Sequence, residues 1–263
     1  MGVGTIKAVL IDIAGTLVYG NKPIPGSLKI IPYLRNLGLK ILFTTNTDSR
    51  TPTTIHRELV DMGFDILKEE IFTPIIALKE FLGRHKDKKI YFLLSKETRK
   101  EFEGFKEPIG DEIPHCVVVG DFRDDWRLER LDRCFHYIVK GAELLGTQGN
   151  RYFIDNQGEV LLDTGSFVHT LAYAAQVDSR IFGKPSIKFF DMAMRKLGTN
   201  ASETLIVGDD IYADIKGGHE AGLRTVLVRT GKGQSYRSSI SMDADTILDS
   251  IADLALVLGK PLT

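Results

Sequence analysis

Only two of the 263 residues are cysteine, Cys116 and Cys134, and no second thiol stands near either in sequence. Such spacing makes neither a metal knuckle nor the disulfide framework of a small secreted domain, so both read as buried core thiols. Charge of one sign is lacking too. The 34 basic and 35 acidic side chains leave a formal net charge of −1, which offers no broad electrostatic footprint for nucleic acid. No apolar run approaches the ~20 residues of a membrane-spanning helix, and low-complexity tracts and internal repeats are absent. Nor does the sequence open on the apolar core of a signal peptide, so a cytoplasmic protein with no membrane or nucleic-acid partner is expected. What remains is ordinary globular material, 43% hydrophobic and 26% charged, enough for one large or two modest domains.

The chain is organised around Lys7 to Leu17, K-A-V-L-I-D-I-A-G-T-L. Ala8 to Ile11 is the short apolar run of a strand buried on both faces, and it delivers Asp12 into a turn made by Gly15 and Thr16. A carboxylate at the carboxyl end of such a strand sits where open α/β sheets bind ligands; taken alone, it equally fits the cap of a strand-to-helix turn. A helix from about Ser27, with Leu28, Ile31, Leu34 and Leu37 on one face, stops at Gly38. Lys40 to Phe43 is the next strand, ending in Thr44-Thr45-Asn46, and a helix over about Pro52 to Met62 closes at Gly63.

Between about Pro74 and Phe182 the pattern changes. Strands are predicted at Ile90 to Leu94, Cys116 to Val119 and His136 to Val139, followed by a hairpin through Asn156-Gln157-Gly158 between Tyr152-Phe153-Ile154 and Val160-Leu161-Leu162. The β-α alternation then resumes, so the expected architecture is a doubly wound α/β core over 1–75 and 183–263 with an α/β cap inserted over 76–182. The hairpin and the Lys/Glu-rich helix near Lys96 to Glu103 read as solvated cap surface rather than a site. Arg123, Asp124, Trp126 and Arg127 form the one charged-aromatic cluster of the cap. Exposed apolar strands there would support a homodimer.

After the insertion, Ile181-Phe182 leads into Gly183-Lys184-Pro185, and a helix begins near Ser186. Then Thr204 to Val207 forms an apolar strand ending in Gly208-Asp209-Asp210, with Asp214 close behind. Acids so crowded repel one another unless a cation binds or a pKa rises, and a hard divalent ion such as Mg²⁺ suits an all-oxygen cluster. If the four strands are parallel neighbours, Asp12, Thr45-Asn46, Lys184 and the Asp209 cluster meet along one sheet edge. That set has a chemical logic: a nucleophilic Asp12 approaches a phosphate dianion only when Mg²⁺, held by Asp12 and Asp209, offsets the repulsion. Thr45, the Asn46 backbone and Lys184 then hold the non-bridging oxygens.

D-I-A-G-T, F-T-T-N, G-K-P and G-D-D-I-Y-A-D, in that order and over almost the whole chain, resemble the four motifs of the haloacid dehalogenase superfamily of phosphotransferases. An α/β cap between the second and third motifs, P-G-S after the first and T-G-S-F before the returning helix are similar to subfamily IIA, the branch of 4-nitrophenylphosphatase-like and phospholysine phosphohistidine inorganic pyrophosphate phosphatase-like proteins. The resemblance implies an aspartyl-phosphate on Asp12 and Mg²⁺ on Asp12, the Ala14 carbonyl and Asp209, with Asp214 or Asp210 behind it. It also implies Thr45 and Asn46 on phosphate and Lys184 bridging nucleophile and phosphate. The substrate would be a small phosphorylated molecule or a phosphorylated side chain. One departure stands out: phosphatases of this superfamily usually carry D-x-D-G-T, and the second acid, which protonates the leaving oxygen, is here Ala14. General acid–base help is worth about 10²- to 10⁴-fold, so aryl, acyl, N–P or pyrophosphate bonds are expected to be preferred over alkyl esters. A phosphonate-cleaving branch with D-x-A-G-T and a phosphate-binding protein of little turnover are the other readings.

Overall fold

The structure is a computed structural model and describes residues 6–155, 157–235 and 244–258. In chain order the strands are β1 (Ala8–Asp12), β2 (Val18–Tyr19), β3 (Lys22–Pro23), β4 (Lys40–Thr44), β5 (Ile71–Phe72), β6 (Ile90–Leu93), β7 (Cys116–Val119), β8 (Glu143–Gly146), β9 (Tyr152–Ile154), β10 (Val160–Leu162), β11 (Ser179–Ile181), β12 (Thr204–Gly208), β13 (Arg224–Val228) and β14 (Thr246–Leu248). The helices are α1 (Ser27–Asn36), α2 (Pro52–Asp61), α3 (Pro74–Leu82), α4 (Lys96–Arg99), α5 (Leu128–Val139), α6 (Thr164–Ala175), α7 (Ile187–Leu197), α8 (Gly217–Glu220) and α9 (Leu254–Val257).

Two parallel sheets dominate. The larger runs β14-β13-β12-β1-β4-β5, with β1 between β12 and β4 in parallel register, Ile11 opposite both Val207 and Phe43. Every residue of β1 is buried, as expected for a central strand covered on both faces. On one face Val9, Ile11, Ile41 and Phe43 pack against Ile30 and Leu34 of α1, Ile55 and Leu59 of α2, and Leu254 of α9. On the other, Leu10, Leu42 and Ile206 pack against Leu78 of α3 and Phe189 and Phe190 of α7. Helices on both faces make this sheet doubly wound, and the smaller α/β assembly is inserted between β5 and β12.

The smaller sheet has the order β11-β8-β7-β6, also parallel. Its Ile90, Phe92, Val118 and Leu145 join the same buried cluster as α3 and α7, so one apolar layer packs against both sheets. Each such fully buried side chain contributes about 1.5–3 kcal/mol, which fixes the two sheets relative to one another. Its far face, Tyr91, Leu93, Val117 and Val119, is covered by Cys134 and Ile138 of α5 and Val168 and Leu171 of α6. Both cysteines are free and buried, and burial pushes each thiol up to about 12.

Two sequence expectations are corrected. His136 to Val139 is not a strand but the last turn of α5, where Cys134, Tyr137 and Ile138 form the buried stripe; four apolar-leaning residues do not by themselves distinguish strand from helix. The strand lies further on, at β8. The segment before Lys184 is likewise not a neighbour of β1: β11 pairs with β8 in the smaller sheet, so Lys184 reaches Asp12 from the other sheet. The expected hairpin is present as antiparallel β9 and β10, although Asn156 of its turn lies outside the described residues.

Candidate active site

Asp12 is the last residue of β1 and is 5% exposed. Thr16 Oγ1 donates to its Oδ2 at 3.2 Å, and Lys184 Nζ to its Oδ1 at 2.6 Å. The Lys184 ammonium is shared, donating also to Asp214 Oδ1 at 2.6 Å. Asp209 follows β12, the neighbour of β1, and the backbone N–H of Lys232 donates to its Oδ2 at 2.7 Å. Asp12, Asp209 and Asp214 are buried, and each offers an oxygen within 4.8 Å of the others. Tight backbone makes this possible. Gly15, at φ +88°, and Gly231, at φ +51°, lie so close to Asp209 that a Cβ on either would fall 2.1 Å from its Oδ2.

Electrostatics follow from that crowding. Burial, then the charges of Asp12 and Asp214, raise the Asp209 carboxyl well above the carboxylate range. Burial likewise pushes Asp214 up to about 7 against the pull of Lys184. For Lys184 burial alone would lower the pKa, but Asp12 and Asp214 outweigh it and raise it. One lysine among three buried carboxylates leaves an excess of negative charge that a bound cation would relieve.

Asp210, the other sequence candidate for the metal shell, turns elsewhere. Its Oδ1 accepts from the backbone N–H groups of Tyr212 and Ala213, capping the π-helical turn Ile211–Lys216, and its Oδ2 accepts from Lys232 Nζ at 2.7 Å. Burial would raise this carboxyl, yet the Lys232 ammonium and those N–H groups hold it below its ordinary value.

Thr45 follows β4, the other neighbour of β1; its Oγ1 donates to Thr47 Oγ1 at 2.9 Å and accepts from Thr47 N–H. The Asn46 side chain is a strut. It donates to the carbonyl of Lys184 at 2.8 Å and to Asn150 Oδ1 at 3.0 Å, and accepts from Lys184 N–H at 2.8 Å, which fixes the lysine's backbone. Ala14 stands at the cavity wall and is itself exposed, so the space beside its Cβ is open.

Asp12, Ala14, Thr45, Asn46, Lys184, Asp209, Asp210 and Asp214 border one cavity of about 380 Å³. The hairpin reading is corrected here: Phe153, Ile154 and Asp155 line this cavity, although Val160, Leu161 and Leu162 behind them are exposed. Lys232 ties the hairpin down, donating to the Tyr152 carbonyl at 3.2 Å with its Nζ 4.9 Å from the ring centre. Lys232 and Asp48, another lining residue, are not among the residues that the sequence motifs point to. Lys232 had a signal, since T-V-L-V before R-T-G-K reads as a further buried strand ending at the same edge; Asp48 had none, being a lone acid among Thr and Ser.

A haloacid dehalogenase-like hydrolase model matches residues 9–106 and a HAD-hydrolase-like model residues 181–254, the two portions that carry the carboxylates and Lys184. Phospholysine phosphohistidine inorganic pyrophosphate phosphatase of Xenopus laevis is 32% identical over 241 residues, covering 89% of this chain and 86% of that protein. The human haloacid dehalogenase-like hydrolase domain-containing protein 2 is 32% identical over 234 residues, covering 89% and 87%. Among solved structures, p-nitrophenyl phosphatase from Archaeoglobus fulgidus superposes with a TM-score of 0.86 at 25% identity, over 97% of this chain and all of that one. The chain belongs to the haloacid dehalogenase-like hydrolase family. Within it, the chain is an enzyme of the phosphatase kind. Among the described residues no helix is long and apolar enough to cross a membrane.

Proposed function

We propose that the protein is a Mg²⁺-dependent phosphohydrolase that works through an aspartyl-phosphate on Asp12 and favours leaving groups that need no proton. The observation that carries this reading is the buried cluster of Asp12, Asp209 and Asp214 around one lysine, at the floor of a cavity roomy enough for a small phosphorylated compound. Three carboxylate oxygens so close, with Asp209 held by one backbone N–H, fit a hard divalent cation. Asp12, Asp209 and Asp214 would hold it, with the Ala14 carbonyl as a further ligand; when bound, it offsets the charge of the phosphoryl group.

The chain's own residues do the rest. Asp12 attacks phosphorus through a carboxylate oxygen, the bond to the leaving group breaks, and the leaving group departs with the electron pair. Lys184, oriented by Asp12 and Asp214, donates hydrogen bonds to the oxygens that gain charge, together with Thr45 and the Asn46 N–H. Water then attacks the phosphoryl group, freeing Asp12. No carboxyl at position 14 protonates the leaving atom, so aryl, acyl, N–P and pyrophosphate bonds should break faster than alkyl esters. Residues 76–182 would act as the cap over this centre, and 1–75 with 183–263 as its catalytic core. The relative named above for phospholysine, phosphohistidine and pyrophosphate supports a small phosphorylated molecule or phosphorylated side chain as substrate.

The test is a panel of aryl, alkyl, acyl, N–P and pyrophosphate compounds assayed with Mg²⁺ and after chelation. Turnover that needs the cation, with a labelled phosphoryl group trapped on Asp12 by acid quench, is the expected result. Turnover undiminished by chelation, or trapped label elsewhere, would overturn it.

A further inference from the structure

We propose that Asp48 is a specificity-determining residue, accepting a hydrogen bond from an N–H group, a cationic amine included, carried by the leaving group of the substrate. This rests on the phosphohydrolase reading and adds which end of the substrate is recognised, and by what.

Asp48 stands three residues beyond Thr45 and is 3% exposed. Three donors from three separate segments converge on a single oxygen: Asp121 N–H at 3.1 Å, Thr147 Oγ1 at 2.5 Å and Thr164 Oγ1 at 2.8 Å, all to Oδ2. That fixes the carboxylate firmly and saturates one of its atoms. The other, Oδ1, accepts no hydrogen bond among the described residues. Nor is it enclosed: the wholly buried side-chain polar atoms without a partner are Ser27 Oγ and Thr44 Oγ1. Since Asp48 lines the cavity, Oδ1 is the side-chain acceptor it has left for a donor bound there.

Its surroundings favour a donor with positive charge. Carboxylates outnumber cations among the lining side chains, and each of the four cations has its own acidic partner: Arg50 with Glu58, Arg123 with Asp121, Lys184 with Asp12, and Lys232 with Asp210. None of the four forms an ion pair with Asp48. Its buried neighbour Asp163, whose Oδ1 accepts from Gln148 Nε2 at 2.6 Å and Thr164 N–H at 2.8 Å, adds negative charge beside Asp48. Burial, with the charge of Asp163, pushes Asp48 up to about 7, as expected of a carboxyl lacking a cationic partner. An N–H donor on the leaving group supplies that partner.

The test compares three aryl phosphates that differ at the far end of the ring, 4-(aminomethyl)phenyl, 4-ethylphenyl and 4-(carboxymethyl)phenyl phosphate, on the whole protein with Mg²⁺. In wild type kcat/KM for the amine should exceed that for the ethyl compound by about ten- to a hundredfold, the range of a hydrogen bond to a charged group, with the carboxylate slowest. Asp48→Asn should bring the amine-to-ethyl ratio close to one, whatever happens to the absolute rates. A merely structural tie would slow all three alike and leave the ratio standing. A wild-type ratio of one, or a ratio retained in the variant, overturns the proposal; no turnover of any of the three would instead strike the phosphohydrolase reading. Should Asp48→Asn fail to fold by circular dichroism, Asp48→Ser carries the same ratio test.

Discussion

The two sheets present their carboxyl edges to the same cavity and use them differently. On the larger sheet the residues just past β1, β4 and β12 are Asp12 at the strand's end, Thr45 and Asp209, and they crowd charge around Lys184. On the smaller one, Ser95 past β6, Asp121 past β7 and Thr147 past β8 spend themselves on the segment 48–51: Ser95 Oγ donates to the Ser49 carbonyl at 2.9 Å, and the other two reach Asp48. Glu97 completes the seam by accepting from Thr51 N–H at 2.8 Å. One edge therefore crowds three carboxylates around a single lysine, while the other is tied by hydrogen bonds whose donors are all neutral N–H and O–H groups. The first arrangement is costly unless a cation and a phosphoryl group arrive; the second holds the cavity's walls together in their absence.

The sharpest break of that contrast is at Asp12. Asp12→Asn keeps the shape and the contacts of Lys184 with Asp214, but an amide is a far poorer nucleophile, so turnover should fall by about 10⁴-fold or more, as when other catalytic nucleophiles are removed. Single-turnover kinetics beside a circular dichroism spectrum check it, and retained activity would remove the covalent mechanism. Next comes Lys184→Met, which strips the one cation from buried carboxylates and should cost about 3–5 kcal/mol in a chelated buffer. Thr147→Val on the opposite edge removes one neutral donor and should cost about 1–3 kcal/mol. Denaturant melts with and without Mg²⁺ separate the two, because added cation should recover part of the loss for Lys184→Met and none for Thr147→Val. Equal losses, equally insensitive to Mg²⁺, would erase the distinction between the edges.

The same contrast explains what the sequence discloses. Asp12, Thr45-Asn46 and Asp209 are readable because each lies at or just past the end of an apolar run, a local pattern in which strand and chemistry are adjacent. Lys184 is readable as a residue but not in its placement, because its preceding strand, β11, pairs in the other sheet and nothing local says so. Asp48 is invisible for a stronger reason. Its partners Asp121, Thr147 and Thr164 are distant in sequence and of two ordinary types, and only the meeting of two sheets gives them a common target. The hairpin misleads in the opposite direction: β10 is exposed, yet Phe153 and Ile154 of β9 reach the cavity.

Position 14 lies on the charged edge and lacks its acid, so restoring a carboxyl is the next smaller effect. Ala14 is exposed beside the cavity, which leaves room for the longer side chain. Ala14→Asp should speed alkyl phosphate hydrolysis by about tenfold or more, part of the usual range for general acid–base help, and flatten the dependence of rate on leaving-group pKa. A wild type that already cleaves alkyl and aryl phosphates at similar chemical-step rates would show that another acid fills the role.

The smallest effect probes the quiet edge alone, through pH. The Asp48 carboxyl stands at about 7 in the folded protein against an ordinary 3.8, raised first by burial and then by Asp163. Between those values the folded chain holds a proton that the unfolded chain has released, so the unfolded state binds fewer protons and stability falls as pH rises through this window. Asp209 and Asp214 are raised as well and pull the same way; in chelated buffer they do so equally in wild type and variant, and drop out of the comparison. Asp48→Asn presents its amide oxygen to the same three donors but does not titrate. Its melting temperature should therefore fall less than that of wild type between pH 5 and pH 8, leaving the variant the more stable protein at pH 8 by a few degrees, given about 2–4 °C per kcal/mol in a chain of this size. Parallel curves across that range would mean that Asp48 is ionised throughout in the folded protein, already balanced by a positive group within the chain.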